Sequence, residues 1–417
     1  MPKNVDAIAI PAPISLLRIV AQGLVPATAA GSAHEAVRQQ LAMQGQRFTS
    51  SLDAVAVRTA GGTTRGVREA FNRGELVRSW PMRGTVHVTT TEDHHWLRLA
   101  LAGRRDALQR RRELEYGIDD ALLAKAAELA YGLMAPSSAG QMPTATRASL
   151  LEAWRSEGLM RHEGQSDIQG SYRRALLLGL HHEGYLVQGP LAGNDSLMID
   201  ARSLPDASSG PGSPTGGAVH AGDPAALAEI ARRFATSHGP ITADDLARWT
   251  GLSKTQAKRA LDAAISESDH PGAEAFDGSR MVPLLRMTGE QLVALAHSVA
   301  GGRASSPAPA GDFVLRADLA DLAAQSLPQA RRTLALPAFD ELHVGYRDRS
   351  CLTDELGEKL ICPSKNGMFR PILVDRGRLV AAIVDGQPVW GEGQPGSARL
   401  EHSAELALTR VAKRQAL

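Results

Sequence analysis

One order of elements recurs before residue 305, and this recurrence restricts the chain to a small set of folds. In the first copy, helical patterns at 14–24 and 34–43 precede a segment, 76–89, that is rich in β-formers and partly alternating. Arg83-Gly84 supplies a bend or bulge within that segment. Two helices followed by a hairpin are typical of a winged helix, so the sequence predicts one here.

The second copy follows more loosely. Helices are predicted at 144–157 and 171–183, and strands are predicted to start at 184–188 and to continue at 196–200. This order again indicates a winged helix.

A third copy has the clearest helix boundaries. A helix starts at Thr242 in a motif that resembles a capping box, and it ends at Gly251. A second helix follows at 253–265 and carries Lys254 and Lys258. A capped helix, a glycine turn and a basic helix predict a helix-turn-helix, with both lysines as candidate DNA contacts.

The composition of the chain changes after the third copy. Two stretches rich in Pro, Gly, Ser and Ala, 204–222 and 302–311, are predicted to be linkers or loops. Beyond the second, Asp375-Arg376-Gly377 and Asp385-Gly386 supply turns between β-like runs. These runs are 333–339, 367–374, 377–384 and 388–390. They predict an antiparallel C-terminal domain in the form of a small barrel.

Overall charge does not point to a nucleic-acid partner. The 417 residues contain 46 Lys and Arg against 45 Asp and Glu, a net charge of +1. Between Arg98 and Arg112, however, six arginines accompany one acid, Asp106. Arg104 and Arg105 in this run are candidate phosphate contacts. A solvated helix face tied by i, i+4 ion pairs explains the run equally well.

Several classes of protein are excluded by what the sequence lacks. Two cysteines in a chain of this length do not form a disulfide scaffold, and a reduced cytoplasmic setting fits. The sequence predicts no signal peptide and no membrane span, and it shows no Walker or Rossmann motif. The adjacent pairs His94-His95 and His181-His182 diverge on a helix, so no metal or other cofactor is expected.

The segment Gln44-Gly45-Gln46 is the candidate reaction centre. On an intact helix the two glutamines would point about 200° apart. Gly45 and the cluster 49–51 predict that the helix breaks here, with Ser50 or Ser51 capping the next helix. In an extended segment both amides face the same way. The alternative is a pair of solvated glutamines at a helix end.

Four motifs, in this order along the chain, carry a family resemblance. They are Leu41 to Gln46, Arg78 to His87, Pro337 to Glu341 and Gly345 to Ser350. Together they resemble the AlkZ-like (YcaQ-type) bacterial DNA glycosylases. The resemblance implies an α+β chain of three tandem winged helices and a C-terminal β-barrel, forming a C-shaped DNA clamp. It also implies excision of bulky alkylated purines and unhooking of interstrand crosslinks in double-stranded DNA.

The resemblance also implies roles for individual residues. Gln44 and Gln46 correspond to the family's catalytic glutamines, and Thr85 and His87 to its lesion-probing hairpin. With Arg83, these hairpin residues are expected to contact the lesion or the DNA backbone. His87 is otherwise a satisfied strand histidine. Glutamine rather than aspartate at the second catalytic position suggests the branch linked to self-resistance against a DNA-alkylating natural product.

Neutral amides suit one kind of leaving group. An N7-alkylated purine is cationic, so its glycosidic bond is weakened before the enzyme acts, and water needs only to be positioned. No lysine lies near the glutamines in sequence, so a monofunctional hydrolase without a lyase step is expected. The tandem layout of the three helix-turn-helix copies indicates a monomer. The alternatives are a non-catalytic winged-helix regulator and a relative that has lost activity. The expected domains are 1–115, 116–203, a linker at 204–222, 223–305 and 306–417.

Overall fold

The chain folds into two compact units, each of mixed helix and strand. Unit 1 comprises residues 1–67 and 227–417, and unit 2 comprises residues 68–226. The computed structural model describes residues 13–102, 107–134, 143–162, 164, 166–193, 195–205, 217–270, 272–274, 280–301 and 308–416. Among them, no helix combines the length and the apolar character needed to cross a lipid bilayer.

Seventeen α-helices occur in the described residues. They are α1 (Pro13–Ala21), α2 (Ala33–Gln40), α3 (Phe48–Val57), α4 (Thr64–Asn72), α5 (Thr91–Leu101), α6 (Ala107–Glu115), α7 (Asp120–Leu133), α8 (Arg147–Ser156), α9 (Ser166–His182), α10 (Pro224–His238), α11 (Ala243–Thr250), α12 (Lys254–Ser268), α13 (Gly289–Ala300), α14 (Leu319–Ala330), α15 (Glu341–Val344), α16 (Glu355–Ile361) and α17 (Ala398–Ala416).

Twelve strands occur in the same residues. They are β1 (Met43–Gln44), β2 (Leu76–Met82), β3 (Thr85–Thr90), β4 (Thr144–Ala145), β5 (Leu186–Ala192), β6 (Asp195–Asp200), β7 (Leu284–Thr288), β8 (Asp312–Arg316), β9 (Leu334–Leu336), β10 (Ile372–Asp375), β11 (Arg378–Val384) and β12 (Gln387–Trp390).

Unit 2 is built on two antiparallel hairpins, as its sequence predicts. Hairpin β2–β3 joins hairpin β5–β6 through β2 and β5, and β4 pairs with the outer edge of β6. Helices α7, α8 and α9 pack together over a core that includes the fully buried Trp154 and Tyr172. The indole N–H of Trp154 donates to the carbonyl of Ala126 at 2.9 Å, so the buried donor is satisfied.

A buried histidine makes the stability of unit 2 sensitive to acid. His181 is 1% exposed and its ring stacks at a tilt on Trp80. Burial, helped by the charges of His182 and Arg78, lowers the pKa of His181 to about 3. The unfolded chain, with a histidine pKa of about 6.5, therefore binds a proton below that pH that the folded chain does not.

We therefore expect the contribution of neutral His181 to the free energy of unfolding to be fully present above pH 6.5. It should decline as the pH falls toward 3. The slope from His181 is about 1.4 kcal/mol per pH unit. In urea unfolding at pH 7 and pH 4.5, wild type should lose about 2.5 kcal/mol more than His181→Gln. The exposed His220 gives the control, because His220→Gln should behave as wild type. Equal losses in wild type and His181→Gln would show that this ring carries no acid sensitivity.

Unit 1 contains the third predicted helix pair. Helices α11 and α12 pack together, and each begins with a capping box, Thr242 with Asp245 and Ser253 with Gln256. Gly251 ends α11 in a left-handed conformation, φ 82°, which glycine adopts without steric cost. The predicted capping box is therefore confirmed, although α12 extends three residues beyond the predicted end.

The C-terminal strands form an open sheet. Their antiparallel order is β12-β11-β10-β9, and α17 packs against β9. In the described part of the chain β9 and β12 remain the two edges, so no closed barrel is found there. The turns are where the sequence predicts them, but β9 covers only three residues of the predicted run 333–339 and β10 begins five residues after its predicted start. Four strands this short do not close a cylinder. Helix α1 packs on α13 and α14 in the main core of the unit.

Candidate functional site

A strained turn leads into the glutamine segment. Helix α2 ends at Gln40, three residues before the predicted end, and Leu41 has φ 64° and ψ −53°. The amide of Ala42 donates to the carbonyl of Gln40 at 2.8 Å, which makes this a γ-turn of the rare, strained form. Leu41 is fully buried, so packing stabilises a backbone conformation that leucine does not favour by itself. The helix therefore breaks at Leu41 and not at Gly45.

Gln44 lies in the short strand β1, and its backbone is tied to a distant carboxylate. The amide N–H of Gln44 donates to Glu341 Oε1 at 2.7 Å. Its side-chain oxygen Oε1 is buried and has no hydrogen-bond partner among the described residues. A buried acceptor without a partner costs about 1–3 kcal/mol. Such a cost is tolerated where a polar atom is reserved for a ligand or for water.

Gln46 has the opposite environment. It lies in a bend between β1 and α3, and its side chain is exposed. The predicted cap after it is wrong, because α3 begins at Phe48 with Arg47 as N-cap and no capping side chain. The hydroxyl of Ser51 instead donates within the helix, to the carbonyl of Phe48 at 2.7 Å. As a result, no side chain caps the backbone amides in the first turn of α3, which begins just after Gln46.

A buried ion pair stabilises the elements that flank this segment. Arg58, at the end of α3, donates to both carboxylate oxygens of Asp340 at 2.8 and 2.9 Å. It also donates to Gln22 Oε1 at 2.7 Å, and the Gln22 amide donates to the hydroxyl of Tyr346 at 2.9 Å. Arg58 and Asp340 are fully buried, and Coulombic attraction to Asp340 opposes the desolvation of Arg58, whose pKa is raised overall.

Glu341 links this network to the glutamine strand. Its second oxygen lies 3.6 Å from Nε2 of His238, and the carbonyl of His238 accepts from Tyr346 at 2.8 Å. Burial lowers the pKa of His238 despite the nearby carboxylate, so the ring is neutral at pH 7. Gly345 leaves room for this arrangement, since a Cβ there would lie 2.7 Å from the Glu341 carbonyl. One carboxylate oxygen of Glu341 thus lies beside His238, and the other accepts the hydrogen bond from the backbone of Gln44.

In the sequence these residues form only a motif. Asp340, Glu341 and Tyr346 belong to the segments that carry the family resemblance, but no pattern pairs Arg58 or Gln22 with them. Their partners lie 282 to 324 residues away along the chain. The only local signal was a charged pair, Asp-Glu, directly after an apolar β-like run.

The predicted hairpin residues lie in unit 2. Arg83 and Gly84 form the turn between β2 and β3 with φ values of 53° and 65°, as a tight hairpin requires. His87 is 1% exposed, and its Nδ1 lies 2.9 Å from the carbonyl of Thr85. A carbonyl only accepts, so Nδ1 carries the proton and Nε2 is the acceptor in the neutral ring. The hydroxyl of Thr85 is buried without a partner among the described residues.

The predicted cationic contacts are partly neutralised. Lys254 pairs with Asp244 at 3.1 Å and Lys258 with Asp262 at 3.0 Å, although both lysines remain exposed. Arg104 and Arg105 lie outside the described residues. Later in the same run, Arg111 pairs with Glu115 at 2.8 Å on α6, in the i, i+4 manner of the solvated-face alternative.

No group of three or more potential metal-ligating side chains occurs in the part of the chain that the structure describes. His94 and His181 are both buried, and burial lowers the pKa of each, so they are neutral core side chains. Cys351 and Cys362 are free and buried.

Comparison with known proteins agrees with the motifs. No curated protein matches the chain. The structure resembles the DNA glycosylase AlkZ of Streptomyces sahachiroi, with a TM-score of 0.62, 18% sequence identity and coverage of 96% of each chain. At this identity the likeness shows the fold. The family model described as DNA glycosylase AlkZ-like matches residues 37–384, which is most of the chain. The protein therefore belongs to the AlkZ-like DNA glycosylase family.

Proposed function

We propose that this DNA glycosylase hydrolyses the N-glycosidic bond of N7-alkylated purines, including bulky and crosslinked adducts, without a lyase step. The observation that carries the proposal is the Gln44 side-chain oxygen, which is buried and without a partner among the described residues, two residues before the exposed Gln46. The two amides differ in burial and lie two residues apart, Gln44 in β1 and Gln46 in the bend that follows it. They form the reaction centre of the proposal.

The proposed chemistry uses what an amide can do at neutral pH. An amide is not a base, but its oxygen accepts a hydrogen bond from water and attracts developing positive charge. Departure of a cationic purine leaves an oxocarbenium-like sugar. In the proposal Gln46 positions the attacking water, and Gln44 orients the water or the sugar. Being neutral, the pair also avoids the repulsion that a carboxylate would have with the nearby phosphates.

The proposed substrate complex uses the rest of the fold. Three winged helices and the C-terminal strands act as a clamp on double-stranded DNA, with the protein as a monomer on nucleoid DNA in the cytoplasm. A bulky adduct is costly to extrude into a closed pocket, so an open channel suits it better. We further propose a role in self-resistance to a genotoxic natural product, since the second catalytic position is glutamine and not aspartate.

Thr85, His87 and Arg83 are proposed to probe the lesion from the hairpin. We expect His87→Ala to slow removal of a bulky adduct about tenfold, equivalent to about 1.4 kcal/mol, and removal of N7-methylguanine less than about threefold. The reason is that only the bulky group reaches the hairpin. Single-turnover excision of the two lesions in the same duplex measures the difference, with melting temperature as the control for folding. Equal losses would remove the probing role.

The function is tested with a duplex that carries one defined N7-alkylguanine. Incubation with the protein and then with alkali should give strand cleavage at the lesion, while the same duplex without alkali should stay intact. Cleavage without alkali would indicate a lyase. No cleavage in either case, with retained DNA binding, would favour a non-catalytic clamp.

A further inference from the structure

Five arginines surround a cavity in unit 1 that has no role in the proposed chemistry. The cavity has a volume of about 750 Å³, and none of its described lining residues is acidic. It lies between the C-terminal ends of α13 and α14, the β10–β11 turn and one face of α17. We call it the arginine cavity. Its arginines are Arg331, Arg332, Arg376, Arg399 and Arg410.

Three of these arginines are fixed in place by the protein. Arg331 donates to a backbone carbonyl at the end of α13. Arg399 pairs with Asp375 at 2.7 Å, and Asp375 also accepts from the hydroxyl of Thr333 at 2.7 Å. Arg410 donates to the carbonyl of Thr333 at 2.9 Å. Three ordered guanidinium groups therefore line the cavity, and one of them pairs with the carboxylate of Asp375. The net charge of the whole chain is only +1.

The other two arginines have no such support. Among the described residues the side chains of Arg332 and Arg376 make no hydrogen bond and no ion pair. Arg376 also has φ 50°, next to Gly377 with φ 80°, a turn position that favours glycine, asparagine or aspartate. Burial, with the charges of Arg332 and Arg414, lowers the pKa of Arg410. These like charges are crowded together at a cost that a bound anion would relieve.

We infer that the arginine cavity binds phosphate groups of a DNA strand. Guanidinium forks match phosphate oxygens in pairs, and the cavity is much larger than one phosphate needs. The inference rests on the DNA glycosylase activity of the family and is independent of the role of the glutamines.

The cavity is connected to the glutamine segment through packed helices. α17 packs on α3, where Arg414 pairs with Asp53 at 2.9 Å, and α3 starts two residues after Gln46. From Arg414 back to Arg399, α17 extends about 22 Å at a rise of 1.5 Å per residue. The arginine cavity and the glutamine segment are thus linked by the packed helices α17 and α3.

The test is the salt dependence of binding to an undamaged duplex. Each lost phosphate contact lowers the magnitude of the slope of log K against log [salt] by about 0.9. Arg332→Ala/Arg376→Ala should therefore have a slope lower by about 1.8 than wild type, with a melting temperature no lower than that of wild type. Lys359→Ala/Lys365→Ala removes two exposed charges of unit 1 outside the cavity, and its slope should match wild type.

An unchanged slope in the arginine variant, or an equal drop in the lysine control, would overturn the inference. If the slope is unchanged and inorganic phosphate raises the melting temperature of wild type but not of the arginine variant, the cavity binds a free anion and not DNA. Because undamaged DNA is used, each of these results leaves the proposed excision chemistry untouched.

Discussion

Gln46→Ala and Gln44→Ala are each expected to slow excision of N7-alkylguanine by about 100- to 1,000-fold, the cost of removing one preorganised polar group from a transition state. The two amides act only as the purine leaves, so substrate binding does not depend on them. Phosphate contacts supply most DNA affinity, and Kd for the damaged duplex should stay within about threefold of wild type. Single-turnover excision and a binding titration on the same duplex measure both quantities.

A matched control lies five residues upstream of Gln44. Gln39 is exposed on α2, and its amide donates to Glu35 at 3.1 Å. Gln39→Ala removes an amide of the same size from the same region and should excise at the wild-type rate. Loss of DNA binding together with excision in the Gln46 variant would mean that the residue supports the fold and not the reaction.

The second large effect is on stability. Arg58→Met removes the partner of Asp340 and leaves a fully buried carboxylate without its cation. Breaking a buried pair from one side costs about 3–5 kcal/mol, far more than the pair itself contributes. Urea unfolding of the full chain should show a loss of this size. It should also show partial recovery in Arg58→Met/Asp340→Asn, because the second substitution removes the stranded charge.

An exposed ion pair provides the comparison. Arg73 pairs with Glu75 at 2.6 Å, but the Arg73 side chain is 57% exposed. Arg73→Met should therefore cost less than about 1 kcal/mol. A loss below 1 kcal/mol in Arg58→Met would show that the network around Asp340 does not hold unit 1 together.

Local turn chemistry made parts of the fold predictable. The Arg83-Gly84 hairpin, the Gly251 helix end and the capping box at Thr242 each depend on residues within a few positions of one another. Their conformations follow from short-range hydrogen bonds and from the freedom of glycine. The family resemblance likewise used contiguous motifs, and the family match confirmed it.

Other features depended on contacts that no local pattern contains. Leu41 adopts φ 64° although leucine disfavours it, because full burial holds it there. The carboxylate that holds Gln44, on Glu341, is 297 residues away. Whether four C-terminal strands form an open sheet or a barrel depends on strand length and shear, which turn residues do not specify.

The central claim is that two neutral amides suffice because the departing base is already cationic. It is tested most directly by single-turnover excision of N7-methylguanine and of its neutral 7-deaza isostere, each with wild type and Gln46→Ala. We predict rapid release of N7-methylguanine by wild type alone and no release of the isostere by either protein. Release of the isostere by wild type, or release of N7-methylguanine at the wild-type rate by Gln46→Ala, would contradict the claim.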